Sequence, residues 1–172
     1  MTQASLYIGR FQPFHKGHLF MIQHCPSDLL YIGIGSSQYD HRFDNPFTFE
    51  ERKKMIELTL DKQFKKQYKI YPVPDIHDPP NWVAHVKKII PSFSTVLTNN
   101  SFTKDLFSEK GYDVFSPGYY QRSFCMGKII RERLRNDQEW EQLVPEEIIP
   151  YLKKIDASDR LKQILDEENN QD

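Results

Sequence analysis

Hydrophobic positions along this chain follow two alternating rhythms. Short apolar or β-branched runs of strand length occur at residues 6–8, 29–35, 69–73, 95–98 and 112–115. Between them the spacing changes to the i, i+3, i+4 stripe of an amphipathic helix. Leu19, Phe20, Ile22 and Gln23 form the first stripe, from about Lys16; Met55, Ile56, Leu58 and Leu60 form the second. Trp82, Val83, Val86, Ile89 and Ile90 make the third, and Phe102, Leu106 and Phe107 the fourth. Residues 29–35 are almost wholly apolar, as a central parallel strand buried on both faces requires.

Cap and turn residues sharpen these limits. Thr48 followed by Glu51 is a capping box opening the second helix. Asn81 is the expected cap of the third, after a loop stiffened by Pro72, Pro74, Pro79 and Pro80. Gly111 is expected to end the fourth at C′. Beyond residue 118 the chain turns helical and charge-rich, with Ile130, Leu134 and Leu143 as apolar anchors. Short helices are expected at 137–144, 145–155 (Pro145 at N1) and 158–165, followed by a frayed acidic tail at 166–172.

Strand–helix alternation repeated in this way argues an α/β fold: a parallel sheet, helices on both faces, right-handed crossovers. Ligands in such sheets sit outside the carboxyl ends of the strands, where strand order reverses. The expectation is one domain over 1–172, with an α/β core at 1–118 and a helical part at 119–165. No internal repeat is visible.

Composition narrows the class. A length of 172 residues suits one domain with a real core, and a formal net charge of −1 gives no support to a nucleic-acid binder. The two cysteines, Cys25 and Cys125, are too few for a disulfide framework and form no metal-ligand cluster, so no residue is put forward as a metal ligand. Arg10 interrupts the only N-terminal apolar run, so no signal peptide is expected, and no run reaches the roughly 20 apolar residues of a membrane span. A cytoplasmic protein is expected.

The chemistry concentrates in residues 6–19, Leu-Tyr-Ile-Gly-Arg-Phe-Gln-Pro-Phe-His-Lys-Gly-His-Leu. A strand, a turn at Gly9, a loop held out of helix by Pro13 and a helix start are the parts of a phosphate site, because first-turn N–H groups lack partners. His15 and His18, three apart at the helix start, can face one point, and Gly17 between them omits a side chain where a triphosphate would approach. Arg10 and Lys16 add fixed positive charge. A plain strand-to-helix turn with two surface histidines would use the same residues.

Residues 9–18, Gly-Arg-Phe-Gln-Pro-Phe-His-Lys-Gly-His, resemble the signature of the His-x-Gly-His nucleotidyltransferase superfamily. The longer form is similar to that of archaeal-type nicotinamide mononucleotide (NMN) adenylyltransferases. Gly33-Ile34-Gly35-Ser36 and Asn45-Pro46-Phe47-Thr48 with Glu51-Arg52 resemble further blocks of that family. The resemblance implies a Rossmann-like doubly wound five-stranded parallel sheet, strand order 3-2-1-4-5, with a helical C-terminal part. It implies adenylyl transfer from ATP to NMN with magnesium accompanying ATP, and a homo-oligomer. His15, His18, Arg10 and Arg131 would be catalytic. Gly9, Phe11, Gly17, Asn99, Gly127 and Lys128 would join them at ATP, and Arg10, Ser36, Arg52, Asn81 and Trp82 would hold NMN.

Several positions depart from the family pattern. Pro79 stands where an Asn is usual before Trp82, and Thr98-Asn99-Asn100-Ser101 replaces Ser-Gly-Asn-Pro. Met126-Gly127-Lys128 replaces Ser-Gly-Thr while Arg131 stays in register, and Lys128 is positioned to recover the lost phosphate contact. Two alternatives stand beside the main reading. One is a sister enzyme, a phosphopantetheine adenylyltransferase or glycerol-phosphate cytidylyltransferase; the other is a nucleotide-binding sensor without catalysis. A class I aminoacyl-tRNA synthetase shares the histidine motif but needs more length and basic surface.

Overall fold

A computed structural model describes residues 3–123 and 125–170. Five strands, β1 (Ala4–Gly9), β2 (Leu29–Gly35), β3 (Gln67–Val73), β4 (Thr95–Leu97) and β5 (Asp113–Phe115), form one parallel sheet in the order β3-β2-β1-β4-β5. Helices α1 (Lys16–Gln23), α2 (Phe49–Gln63), α3 (Pro79–Ile89) and α4 (Ser101–Ser108) are the crossovers. α5 (Gly127–Arg135), α6 (Ile149–Lys154) and α7 (Ala157–Asn169) follow, with 3-10 turns at Glu141–Leu143 and Glu146–Ile148 before α6. This is the doubly wound architecture and strand order that the alternation and the resemblance led one to expect. The order reverses between β1 and β4, which fixes the site there.

The period of two in the central strands sends alternate residues to opposite cores. Leu6 and Tyr31 join Val83, Val86 and Phe107 from α3 and α4 on one face. Tyr7, Leu30 and Ile32 join Leu19, Ile22, Met55, Leu60 and Leu161 on the other. Leu6, Leu30 and Ile32 are fully buried. Truncating any one to alanine would cost about 2–5 kcal/mol, since the packed sheet cannot close over the void.

The capping box of α2 forms as expected, Glu51 N donating to Thr48 Oγ1 at 3.1 Å and Thr48 N to Glu51 Oε2 at 2.9 Å. Several other limits differ. Asp78, not Asn81, stands at the N-cap of α3, because Pro79 and Pro80 need no N–H partner and start the helix earlier. Asn81 lies in the first turn, its Nδ2 donating to Asp78 Oδ2 at 2.7 Å. α4 ends with Glu109 at its C-cap, so Gly111 (φ +82°) falls one residue beyond C′. Asp137 at φ 51° stops any helix over 137–144, leaving only the 3-10 turn at 141–143. Pro145 precedes the next 3-10 turn instead of opening a helix, and Pro150 sits in the first turn of α6. The acidic tail is not frayed to residue 169. Buried Leu161 and Ile164 anchor α7, and Glu168 accepts from Phe43 N at 3.3 Å; residues 171–172 lie outside the described chain.

Candidate active site

The loop after β1 is built on Phe11, whose φ is 53° and whose ring is 1% exposed. Left-handed backbone at an aromatic residue costs of order 1–3 kcal/mol, which burial of the ring, worth about 1.5–3 kcal/mol, can offset. The ring lies under the turn: a Cβ on Gly9 would come within 3.0 Å of it, so a side chain there would have to push the ring aside. It also meets His18 edge-on at 4.7 Å and Tyr7 at 5.6 Å. Phe11 therefore supports the histidine from beneath and does not line the crevice as an ATP contact.

His15 and His18 form an imidazole capping box at the start of α1. His18 N donates to His15 Nδ1 at 3.3 Å, and His15 N donates to His18 Nδ1 at 3.2 Å. The rings stack with centroids 3.6 Å apart. Since each Nδ1 accepts, the proton of each neutral ring belongs on Nε2. Burial, with Arg131 nearby, pulls His15 down to about 3; burial and the neighbouring His15 pull His18 well below its ordinary value. At neutral pH the pair consists of two uncharged N–H donors of fixed tautomer.

Gly17 proves necessary for a reason other than triphosphate clearance. A Cβ there would meet the His15 ring at 2.9 Å and the Cys125 carbonyl at 3.3 Å. His15, Gly17 and His18 border a crevice of about 360 Å³ over the ends of β1 and β4, faced by Thr98, Asn99 and Gly127. The start of α1 and the start of α5 thus frame one opening, with Cys125 and Met126 beside it. Asn99 closes one end by clasping Gly118, accepting from its N–H at 3.1 Å and donating to its carbonyl.

The two family arginines are placed inward. Arg52 is fully buried and donates to the carbonyls of Arg10 (3.0 Å), Gly35 (2.8 Å), Ser36 (3.3 Å) and Thr48 (3.2 Å). Burial draws its guanidinium down to about 10, still charged at neutral pH. Its donors are spent on backbone, which corrects the expectation that it touches NMN. Arg131, 5% exposed, donates to Gln12 O at 2.7 Å and to Asp44 Oδ1 at 3.3 Å, while its buried Nε has no partner among the described residues. Gly127 makes room for that contact, since a Cβ there would meet Arg131 Nη1 and Gln12 O, each at 3.0 Å. Arg10 and Lys128 are exposed, and neither borders the crevice.

Ser36 (φ 49°) is buried and donates to Asp75 Oδ2 at 2.7 Å. Trp82 is half-buried and borders a second pocket of about 290 Å³ with Asp75, Asp78, Phe102 and Thr103; Asn81 is exposed and does not border it. The two openings flank the start of α4: its cap Asn100 faces the crevice, Phe102 and Thr103 the second pocket. Sequence reasoning missed Gln12, whose buried amide clasps Phe47 in both directions at 3.0 and 3.1 Å. A buried Gln cannot be told from an exposed one in a loop motif. Tyr119, Tyr120 and Arg122, which flank the crevice, carried only a run of bulky polar types as a signal.

A doubly wound sheet with a switch-point crevice between two helix starts, bordered by two uncharged imidazoles and Arg122 and, among the described residues, by no carboxylate, defines a nucleotide-binding α/β protein of the nucleotidyltransferase kind. The chain belongs to the cytidylyltransferase-like family, whose model matches residues 6–133. A nicotinamide-nucleotide adenylyltransferase of Thermoplasma volcanium is 42% identical over 159 residues, 91% of this chain and 89% of that one. One of Methanococcus aeolicus is 40% identical over 162 residues, 93% of this chain and 94% of the relative. Among solved structures, a bifunctional NMN adenylyltransferase/ADP ribose pyrophosphatase from Francisella tularensis, complexed with AMP and a manganese ion, aligns with TM-score 0.77 and 26% identity. That match takes in 99% of this chain, which spans 54% of the bifunctional protein. A nicotinic acid mononucleotide adenylyltransferase of Plasmodium falciparum shares the fold, at TM-score 0.63 and 11% identity over 92% of this chain and 98% of that one.

Proposed function

We propose that this chain transfers the adenylyl group of ATP to NMN, giving NAD and pyrophosphate. A phosphate oxygen of NMN attacks the α-phosphorus in line; the new P–O bond forms as the bond to pyrophosphate breaks. The acceptor phosphate is already ionised at neutral pH, so no general base and no covalent intermediate are needed. The work left to the protein is positioning and neutralising developing charge. The observation that carries this reading is the reciprocal histidine cap, which supplies two fixed, uncharged Nε2–H donors at the crevice. Donors of that kind suit oxygens whose charge grows during transfer, and they cannot drift into a basic role.

In this reading Arg131 and the start of α5 receive the far phosphates, with Lys128 and Arg10 turning in from the exposed rim. Among the described residues no carboxylate borders the crevice, so a magnesium ion would enter with ATP and would supply charge neutralisation at its phosphates. Relatives of about 40% identity over nine-tenths of the chain support NMN as acceptor. The same reading includes a homo-oligomer in the cytoplasm with no nucleic-acid partner; among the described residues no helix is long and apolar enough to cross a membrane. Pyrophosphate release from ATP with NMN, phosphopantetheine and glycerol phosphate in turn, with CTP as alternative donor, tests it. NMN with ATP is expected to give the largest signal. Turnover confined to another pair, or NAD bound without turnover, would replace this reading.

A further inference from the structure

Arg131 carries the charge that the reading above assigns to the far phosphates, yet one of its bonds already goes to a carboxylate. Asp44 Oδ1 accepts from Arg131 Nη2 at 3.3 Å, and it is the one carboxylate paired with this guanidinium among the described residues. The partners are unlike: the Arg131 side chain is 5% exposed, that of Asp44 68%. Gly127 borders the crevice and has no Cβ to fill the space beside Arg131 Nη1. The contact also leaves hydrogen-bonding capacity unspent. Buried side-chain polar atoms without a partner among the described residues include Arg131 Nε and, next to Asp44, Asn45 Oδ1.

Asp44 sits on a tip of the chain held by weak restraints. Arg42 and Asn45 exchange backbone hydrogen bonds of 3.2 and 3.0 Å, so Phe43 and Asp44 form a two-residue turn. Phe43 N donates to Glu168 Oε1 at 3.3 Å, and the Arg135 guanidinium lies 5.5 Å from the centre of the Phe43 ring. An exposed carboxylate on such a turn can leave, and a buried arginine cannot follow it. Arg131 would then keep its bond to Gln12 O while its buried charge lacked an anion, a costly state that a phosphate oxygen relieves. Phosphate offers what the carboxylate offers, with more charge and more acceptor oxygens.

Resting on the reading that Arg131 receives phosphates of ATP, we propose that Asp44 is a phosphate stand-in. It holds the Arg131 guanidinium until an incoming polyphosphate displaces it, and the 42–45 tip then comes away from α5. Any anion bound at Arg131 must first displace the same carboxylate. Removing that carboxylate therefore tightens chemically different anions by one common factor, the inverse of the fraction of protein in which Asp44 already stands away.

The test measures the Kd of MgATP by calorimetry, and inhibition by inorganic phosphate of NAD formation from MgATP and NMN, in wild type, Asp44→Asn and Asp40→Asn. Asn keeps the shape and one acceptor oxygen of Asp without its charge. Asp40, on the same segment, pairs with His41 at 2.7 Å, so its variant reports the general effect of losing a negative charge there. Asp44→Asn is expected to bind both anions about three- to tenfold more tightly and by a similar factor, with Asp40→Asn within about twofold of wild type. In wild type, MgATP is expected to speed amide hydrogen exchange at residues 42–45. Unchanged or weaker binding in Asp44→Asn, or an equal gain in Asp40→Asn, overturns the stand-in, while NAD formation by wild type leaves adenylyl transfer intact. Failure of wild type to bind MgATP and to form NAD overturns both.

Discussion

At the scale of single residues the unusual device is a histidine that caps a helix and is capped in return. Asn or Asp would close an N-terminus as well, yet only imidazole leaves a second nitrogen, here Nε2–H, available for a ligand. Protonating either ring would place a second proton on an Nδ1 that is accepting a backbone N–H, breaking the cap. The sign of the pH effect follows. His15 takes up its proton near pH 3 in the folded chain, against about 6.5 when unfolded. Stability present above pH 6.5 is therefore lost as pH falls toward 3, with a slope of up to about 1.4 kcal/mol per pH unit for this group. Urea unfolding between pH 4.5 and 7.5 should show that slope reduced in His15→Asn, which can still cap; an unchanged slope would remove His15 as its source. His18 bears more directly on rate. His18→Ala is expected to lower turnover by about a hundred- to a thousandfold while the KM for NMN moves little, because the lost donor meets charge that builds only in transfer. A variant within a few-fold of wild type in steady-state assays would take His18 out of the chemistry.

At the scale of elements, two buried arginines tie helices to the motif loop. Arg52 from α2 holds the Arg10 carbonyl and Arg131 from α5 holds the Gln12 carbonyl, so the loop that presents the histidines is fixed from behind. Replacing Arg52 by Met would leave several buried carbonyls unpaired, at a cost of about 3–5 kcal/mol. A clear fall in the urea midpoint is expected, with the KM values for ATP and NMN rising together because the whole loop loosens. A selective rise for NMN alone would restore Arg52 to the substrate. Here lies the limit of what the chain discloses before folding. Strand–helix alternation, the Thr48–Glu51 box and the crevice at the β1/β4 reversal rest on local spacing, and local spacing is visible. The inward course of Arg52 depends on carbonyls from several separate segments meeting in space, and nothing in Glu-Arg-Lys shows it. Asn81 is a different case: Pro79-Pro80 already marked the first helical positions, but Asn weighed more as a cap than proline did at N1. The run Asp-Glu-Glu-Asn at the end of α7 reads as tail by charge alone, whereas packing of Leu161 and Ile164 carries the helix through it.

At the scale of the whole molecule, the part of the chain beyond the family match grips the part within it. α7 lies past residue 133, where the match ends. From it Arg160 donates to both carboxylate oxygens of Glu51, at 2.6 and 2.7 Å, and to Pro46 O at 3.2 Å. Glu51 is also the reciprocal partner in the cap of α2, and Phe47 beside it is clasped by Gln12 of the motif loop. Hydrogen bonds thus tie the C-terminal helix to the start of α2, and Phe47, the residue before Thr48, to the motif loop. Both ends of the Arg160–Glu51 pair are largely shielded, at 17% and 16% side-chain exposure, so solvent screens it less than a surface pair. Burial pushes the Glu51 carboxyl up, but the bonds from Arg160 and Thr48 outweigh it and leave a net shift downward. Its contribution is therefore present above the ordinary carboxylate range and lost as acid protonates it. A double-mutant cycle with Glu51→Gln and Arg160→Met is expected to give a coupling of about 1–3 kcal/mol at neutral pH, between the values typical of exposed and buried pairs. That coupling should fade as the pH falls below the ordinary carboxylate range and Glu51 takes up its proton. If the helix merely covers the core, the cycle closes with no coupling and both single variants unfold alike at every pH. If these bonds matter to the site, Arg160→Met also raises the KM for ATP, although Arg160 does not border the crevice.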